Sequence, residues 1–181
     1  MNPVIKNTMI VVGTAAAFLA LYNLNSYLFS NFEFSHRANW IFLPSGLRLL
    51  LVLLFVEYGA IGIALGTFMV DVTSPVKQDE VTLWVSALIH GGSPLLSRWI
   101  CIKTFDLDVH MRNLSAATLL KMTLIFATVS PILHQSWYNF RGYSVAFVSG
   151  TLVMAVGDVL GVLIVLYCAM LCIKLFDLVK K

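Results

Sequence analysis

Charge is what this sequence has least of. Asp, Glu, Lys and Arg together make up 12% of its 181 residues, about half the share usual in soluble domains. A chain so poor in polar side chains cannot face water on all sides, which excludes a soluble globular domain, a disordered chain and a nucleic-acid reader. Cysteine is scarce too. Cys101, Cys168 and Cys172 form no CxxC pair. Cys168 and Cys172 lie four apart in an apolar run, and they read as small packing side chains rather than a redox couple. The sequence has no HExxH, no Walker loop and no paired intramembrane aspartates. Ser149-Gly150 has no histidine in a later span to act as a base. His90 and His134 each occur singly, which argues against haem ligation. No enzymatic activity, cofactor or metal is therefore expected.

What the chain does have is apolar length: 59% of residues are hydrophobic and the mean hydropathy is +0.87. One helical crossing takes about 20 residues. The expectation is thus a single all-α domain over residues 1–181, a polytopic membrane helix bundle of about six transmembrane helices. The first run, about Thr8 to Phe29, is too long for a signal-peptide core and reads as a retained span. It carries a small-residue face at Gly13, Ala16, Ala17 and Ala20, the kind that lets helices approach closely in lipid. The second run, WIFLPSGLRLLLVLLFV, is interrupted at Pro44-Ser45-Gly46, where Ser45 is placed to cap the helix that begins there. Trp40 is placed as an interfacial anchor.

After Glu57-Tyr58 the chain turns and re-enters as GAIGIALGTFMV, with Gly62 and Gly66 in GxxxG spacing, and DVTSPVKQDE reads as a loop. The fourth span, about Val81 to Cys101, reads as broken at His90-Gly91-Gly92-Ser93-Pro94. A fifth follows from about Leu114 to Leu133. The last run, about Val145 to Phe176, exceeds a bilayer in length; it either tilts strongly and projects or bends at Gly157 or Gly161, and one crossing with a bend or an amphipathic lead-in is expected. With six crossings, Lys6, Arg98, Lys103, Arg112, Lys121, Lys174, Lys180 and Lys181 fall on one side and Arg37, Lys77 and Arg141 on the other. The positive-inside rule then puts both termini in the cytoplasm.

Ionisable residues inside a membrane are costly and mark a site or a structural pair. Asp158 lies between Gly157 and Gly161, far from either end of its run. Arg48 is its obvious ion-pair partner, and Arg48 could alternatively meet Glu57 or an anionic ligand near the helix start. His90, in the Gly-Pro break, reads either as cavity lining or as part of a kink that admits another helix.

Two segments together resemble the first type of bacterial membrane-associated sensor domain. In ANWIFLPSGLRLLLVLLFVEYGAIGIALGTFMVD, Phe42, Leu43, Pro44 and Gly46 stand at the places of that family's W-P-P-x-G element. In VMAVGDVLGVLIVLY, Gly157, Asp158 and Gly161 stand at the places of its W-x-G-D-x-x-G-x-L element. WVSALIHGGSPLLSRWICIKTF is similar to the middle helix between them. The resemblance implies a multi-span sensory or localising module, usually joined to a cyclase, phosphodiesterase or kinase domain. No output domain follows Phe176 here, so action through a partner in trans is expected.

The residues expected to hold a small ligand or to pack helices are therefore Asp158, Arg48, His90, Gly157, Gly161, Pro44 and Gly46. The functional expectation is a non-enzymatic sensor-like or scaffolding protein of the bacterial inner membrane that works through a protein partner. The alternatives are the substrate-binding subunit of a vitamin-type importer and an accessory subunit of a larger membrane complex.

Overall fold

A computed structural model describes residues 2–35, 37–74, 76–105, 107–143 and 146–179, with side chains to residue 176. The described chain is helical apart from its connections and one small hairpin. Helix α1 is Pro3–Phe29. It starts where the Asn2 side chain accepts from Val4 N at 2.9 Å, with proline at the first position, where no N–H is needed. A 3-10 turn, Ser30–Phe32, leads into strands β1 (Glu33–Ser35) and β2 (Ala38–Asn39), which pair antiparallel. Then come α2 (Pro44–Thr73), α3 (Glu80–Thr104), α4 (Ala116–Phe140) and α5 (Phe147–Val179).

Four of these helices, α1, α2, α4 and α5, are long and apolar enough to cross a membrane. The six long apolar helices expected from hydropathy are not found. One reason is that the second and third runs belong to one element, α2. The other is that α3 carries His, Gly, Ser, Pro and Arg through its middle, which lowers its hydropathy.

Within α2 the path reverses at Val56, whose φ of 48° and ψ of −114° are not helical. Leu43, just before α2, is tied to Asn25 near the end of α1 (N to Oδ1, 2.8 Å). Leu51 and Phe55 lie beside Met9 and Gly13, and Tyr58 beside Val4 and Thr8. The chain then returns along α1, with Gly62 against Thr14 and Gly66 against Ala15 and Phe18. Near its end, two residues before Thr73, stands Asp71, ion-paired with Arg37. Glycine is needed at the turn: a Cβ on Gly59 would stand 2.5 Å from the Leu51 carbonyl oxygen. Asp71, expected in a loop, is thus a buried residue of α2.

The expected break at Gly91–Pro94 is absent, because α3 runs unbroken from Glu80 to Thr104. Proline has no N–H for the carbonyl four residues back, here His90. That carbonyl is instead satisfied by Arg48 Nε at 3.0 Å, so the helix continues. Gly91 serves close approach, since a Cβ there would lie 2.4 Å from the Ala60 carbonyl oxygen. Pro44 likewise starts α2 rather than interrupting it, and Ser45 makes no capping hydrogen bond. The last apolar run is one helix, α5, of 33 residues.

Candidate functional site

The site is built where β2 and the start of α2 press into α5. A Cβ on Gly157 would meet the Asn39 carbonyl oxygen at 2.1 Å, and one on Gly161 would meet that of Phe42 at 1.9 Å. Phe42 N donates to the Gly157 carbonyl at 3.3 Å. Gly46 completes the contact, as its Cβ would lie 2.6 Å from the Gly161 carbonyl oxygen. Both glycine-bearing motifs are therefore two sides of one backbone-to-backbone contact, which no larger residue allows.

That contact delivers Ser45 to Asp158. Ser45 Oγ lies 2.7 Å from Asp158 Oδ1 and 2.6 Å from the Phe42 carbonyl oxygen. The hydroxyl has one proton for two acceptors. Asp158 Oδ2 is buried with no hydrogen-bond partner.

Arg48 is 1% exposed and Asp158 is 2% exposed, yet they are not ion-paired. Among the described residues the ion pairs are Arg37–Asp71 and Arg141–Asp79. Polar groups on α3 and α4 hold the guanidinium instead: the His90 carbonyl, Ser93 Oγ at 2.7 Å and Ser130 Oγ at 3.3 Å. The Phe126 ring lies 5.0 Å from it. Ser130 also stands beside the Asp158 carboxylate. Glu57, the alternative partner, is exposed beside the Val56 turn.

His90 and His134 meet across α3 and α4, with His134 Nε2 2.9 Å from His90 Nδ1. Each Nδ1 also faces the carbonyl oxygen four residues back, Ser86 at 2.9 Å and Ser130 at 2.8 Å. With one proton per ring, on Nδ1, His134 donates to the Ser130 carbonyl, and the single His90 Nδ1–H is shared between the Ser86 carbonyl and His134 Nε2. His90 Nε2 keeps a free lone pair.

These groups line a cavity of about 110 Å³. It runs from the exposed Ser26, Ser30 and Glu33 at the end of α1 down to the buried Arg48, His90, His134 and Asp158. Beyond Arg48 the bundle is closed by Leu49, Met122, Phe126, Val162 and Cys101. The polar path is a dead end. No group of three or more His, Cys, Asp or Glu side chains fit for a metal occurs among the described residues.

At the mouth, Arg37 is held by Asp71. Burial disfavours its charge, but the nearby Tyr138 and Asp71 outweigh that and keep the guanidinium above its usual range. At the same end Asp79 caps α3, accepting from Thr82 Oγ1 at 2.6 Å, Thr82 N at 3.1 Å, Tyr143 Oη at 2.9 Å and Arg141 Nη2 at 2.9 Å. The Thr82 hydroxyl foremost, with Tyr143 and Arg141, lowers the Asp79 pKa to about 2.

The structure thus brings Asp158, Arg48, His90, Gly157, Gly161, Pro44 and Gly46 to one place. Sequence reasoning missed His134, Ser45 as the partner of Asp158, Asn25 and the Arg37–Asp71 pair. The signal for His134 was present: Ser86 to His90 and Ser130 to His134 share one Ser-x-x-x-His spacing. Comparison with known proteins gives no match, whether to family models, to curated proteins or to solved structures.

Proposed function

We propose that this chain is a non-enzymatic membrane receptor-like module that captures a small polar ligand in the cavity around Arg48 and Asp158 and acts through a protein partner. One observation carries the reading: a polar cavity open at one end reaches two buried, oppositely charged side chains and stops there. A blind pocket suits capture, whereas a channel needs a second opening. The resemblance of the Pro44–Gly46 and Gly157–Gly161 motifs to bacterial membrane-associated sensor domains points the same way.

In this reading α2 makes two passes, reversing at Val56, and α3 makes another, so the chain crosses six times with both termini on one side. Support comes from the paths of the helices. With α2 reversing at Val56, that course would put Lys6, Arg98, Lys103, Arg112, Lys121 and Lys174 toward the end where α1 starts, and Arg37, Lys77 and Arg141 toward the other. Lys180 and Lys181 lie outside the described residues. The more basic end faces the cytoplasm of a bacterial inner membrane, and the cavity opens to the opposite side.

The partner side of the reading rests on α1, whose Gly13, Ala16, Ala17 and Ala20 form an exposed stripe, with nothing within 4 Å of a Cβ on Gly13. The same stripe favours the importer-subunit alternative, because a helix face of this kind admits another protein. Mass spectrometry of small molecules released from the purified protein tests the central reading. A retained polar compound, lost in Arg48→Ala, is expected. An empty cavity in protein purified from several growth media refutes it.

A further inference from the structure

Charge balance in the cavity defines its occupant. At the mouth Arg37 and Asp71 neutralise each other, and Glu33, the other charged residue there, is exposed to water. Below them stand Arg48 and Asp158, one positive and one negative, both lining the same space and both beyond ion-pair distance of each other. Each is incompletely satisfied. Arg48 uses Nε and Nη2, and its Nη1 has no protein partner among the described residues. Asp158 shares the Ser45 proton at Oδ1, has the Ser130 hydroxyl beside its carboxylate, and has no hydrogen-bond partner at Oδ2. Leaving buried charges so exposed to one another across a gap is costly unless something dipolar fills it.

Size narrows the class. About 110 Å³ exceeds what one water needs, about 10–15 Å³, and falls well short of the roughly 300–1,000 Å³ of drug-sized sites. A nucleotide or a vitamin-sized molecule is too large. A net anion would leave Asp158 unanswered, and a net cation would leave Arg48 unanswered.

Building on the small-ligand reading above, we propose that the cavity binds a small zwitterion of the α-amino-acid type, its carboxylate on Arg48 and its ammonium on Asp158. The carboxylate meets the free N–H groups of Nη1 in charge-assisted hydrogen bonds. The ammonium supplies the donor that Oδ2 lacks, and its remaining protons face the lone pair of His90 Nε2. The ligand bridges two charges that the protein itself keeps apart.

The test measures the unfolding temperature of the purified protein in detergent with each common α-amino acid. Each stabilising amino acid is compared with its deaminated acid, its hydroxy acid and its decarboxylated amine. The expected result is that at least one small amino acid stabilises the protein and its three analogues do not. Asp158→Asn, which keeps the shape and removes the charge, then weakens binding about tenfold or more. Should that variant fail to accumulate, the analogue comparison on the native protein decides alone. If an analogue stabilises as well as the amino acid, the zwitterion is wrong and the small-ligand reading survives with another chemistry. If no amino acid stabilises, the zwitterion falls, and mass spectrometry of the purified protein then shows whether the broader reading falls with it.

Discussion

Ser45 and Asp158 lie 113 residues apart in sequence and their oxygens 2.7 Å apart in space. The serine follows the proline that opens α2, and the aspartate follows a glycine of α5. Their meeting depends on backbone contact, because Gly157 and Gly161 leave room for the carbonyls of Asn39 and Phe42. Motif and site are therefore one construction: the glycines bring the chains together and the polar residues between them form the cavity floor.

Gly157→Ala and Gly161→Ala each force a methyl group into a main-chain oxygen, which cannot yield as a side chain can. Each is expected to destabilise by about 1–3 kcal/mol. Thermal unfolding in detergent measures this, and a neutral result would show that the contact is looser than described. Gly92→Ala, with nothing within 4 Å of its Cβ, is the matched control and is expected to leave stability unchanged or slightly raised.

Ser45→Ala removes the donor to Asp158 Oδ1 without changing the fold around Pro44. A loss of about 1–3 kcal/mol is expected for an unsatisfied buried acceptor. Ser45→Thr, which restores the hydroxyl, is expected to recover part of it. Equal stability of the Ala and Thr variants would mean that the hydroxyl contributes nothing.

Val56 holds a β-branched residue at φ 48° and ψ −114°, a backbone region that glycine adopts freely. Val56→Gly is expected to raise stability by about 1 kcal/mol or more. A lower unfolding temperature in that variant would show that the valine side chain outweighs its backbone strain. Cysteine labelling of Tyr58→Cys and Lys77→Cys, in a background lacking the three native cysteines, checks the reversal itself. The two positions are expected to react from opposite sides of the membrane, with Tyr58→Cys on the side of the N-terminus.

Asp79 has a pKa lowered to about 2 from an ordinary 3.8, chiefly by the Thr82 hydroxyl. A carboxylate with a depressed folded-state pKa contributes its stability above the unfolded-state value and loses it as pH falls through the folded-state value. Asp79→Asn is therefore expected to lower the unfolding temperature at neutral pH. The gap to the native protein should close between about pH 4 and pH 2. A gap independent of pH across that window would assign the effect to shape rather than charge.

Much of the site was legible in the sequence because intramembrane charge is rare and costly. Asp158 and Arg48 stood out on that ground, and Gly157, Gly161, Pro44 and Gly46 through their spacing. The turn after Glu57 was also visible, as a short run between glycines, although it falls inside a single element, α2. The partners were harder to read. Opposite charges suggested an Arg48–Asp158 pair, but serines on three helices hold the two side chains apart, and serine in an apolar run gives little signal. The expected α3 break failed for a tertiary reason: the carbonyl that Pro94 frees is taken up by an arginine from another helix. Asp71 looked like loop because its partner, Arg37, lies in a distant turn.

The apolar seal of Leu49, Phe126 and Val162 beneath Arg48 decides which compartment the cavity can sample. In the arrangement proposed above, an occupant would equilibrate with the solution on one side alone, so occupancy would track concentration there whatever the level on the other. Overproducing the protein should accordingly leave the bilayer as impermeable as before.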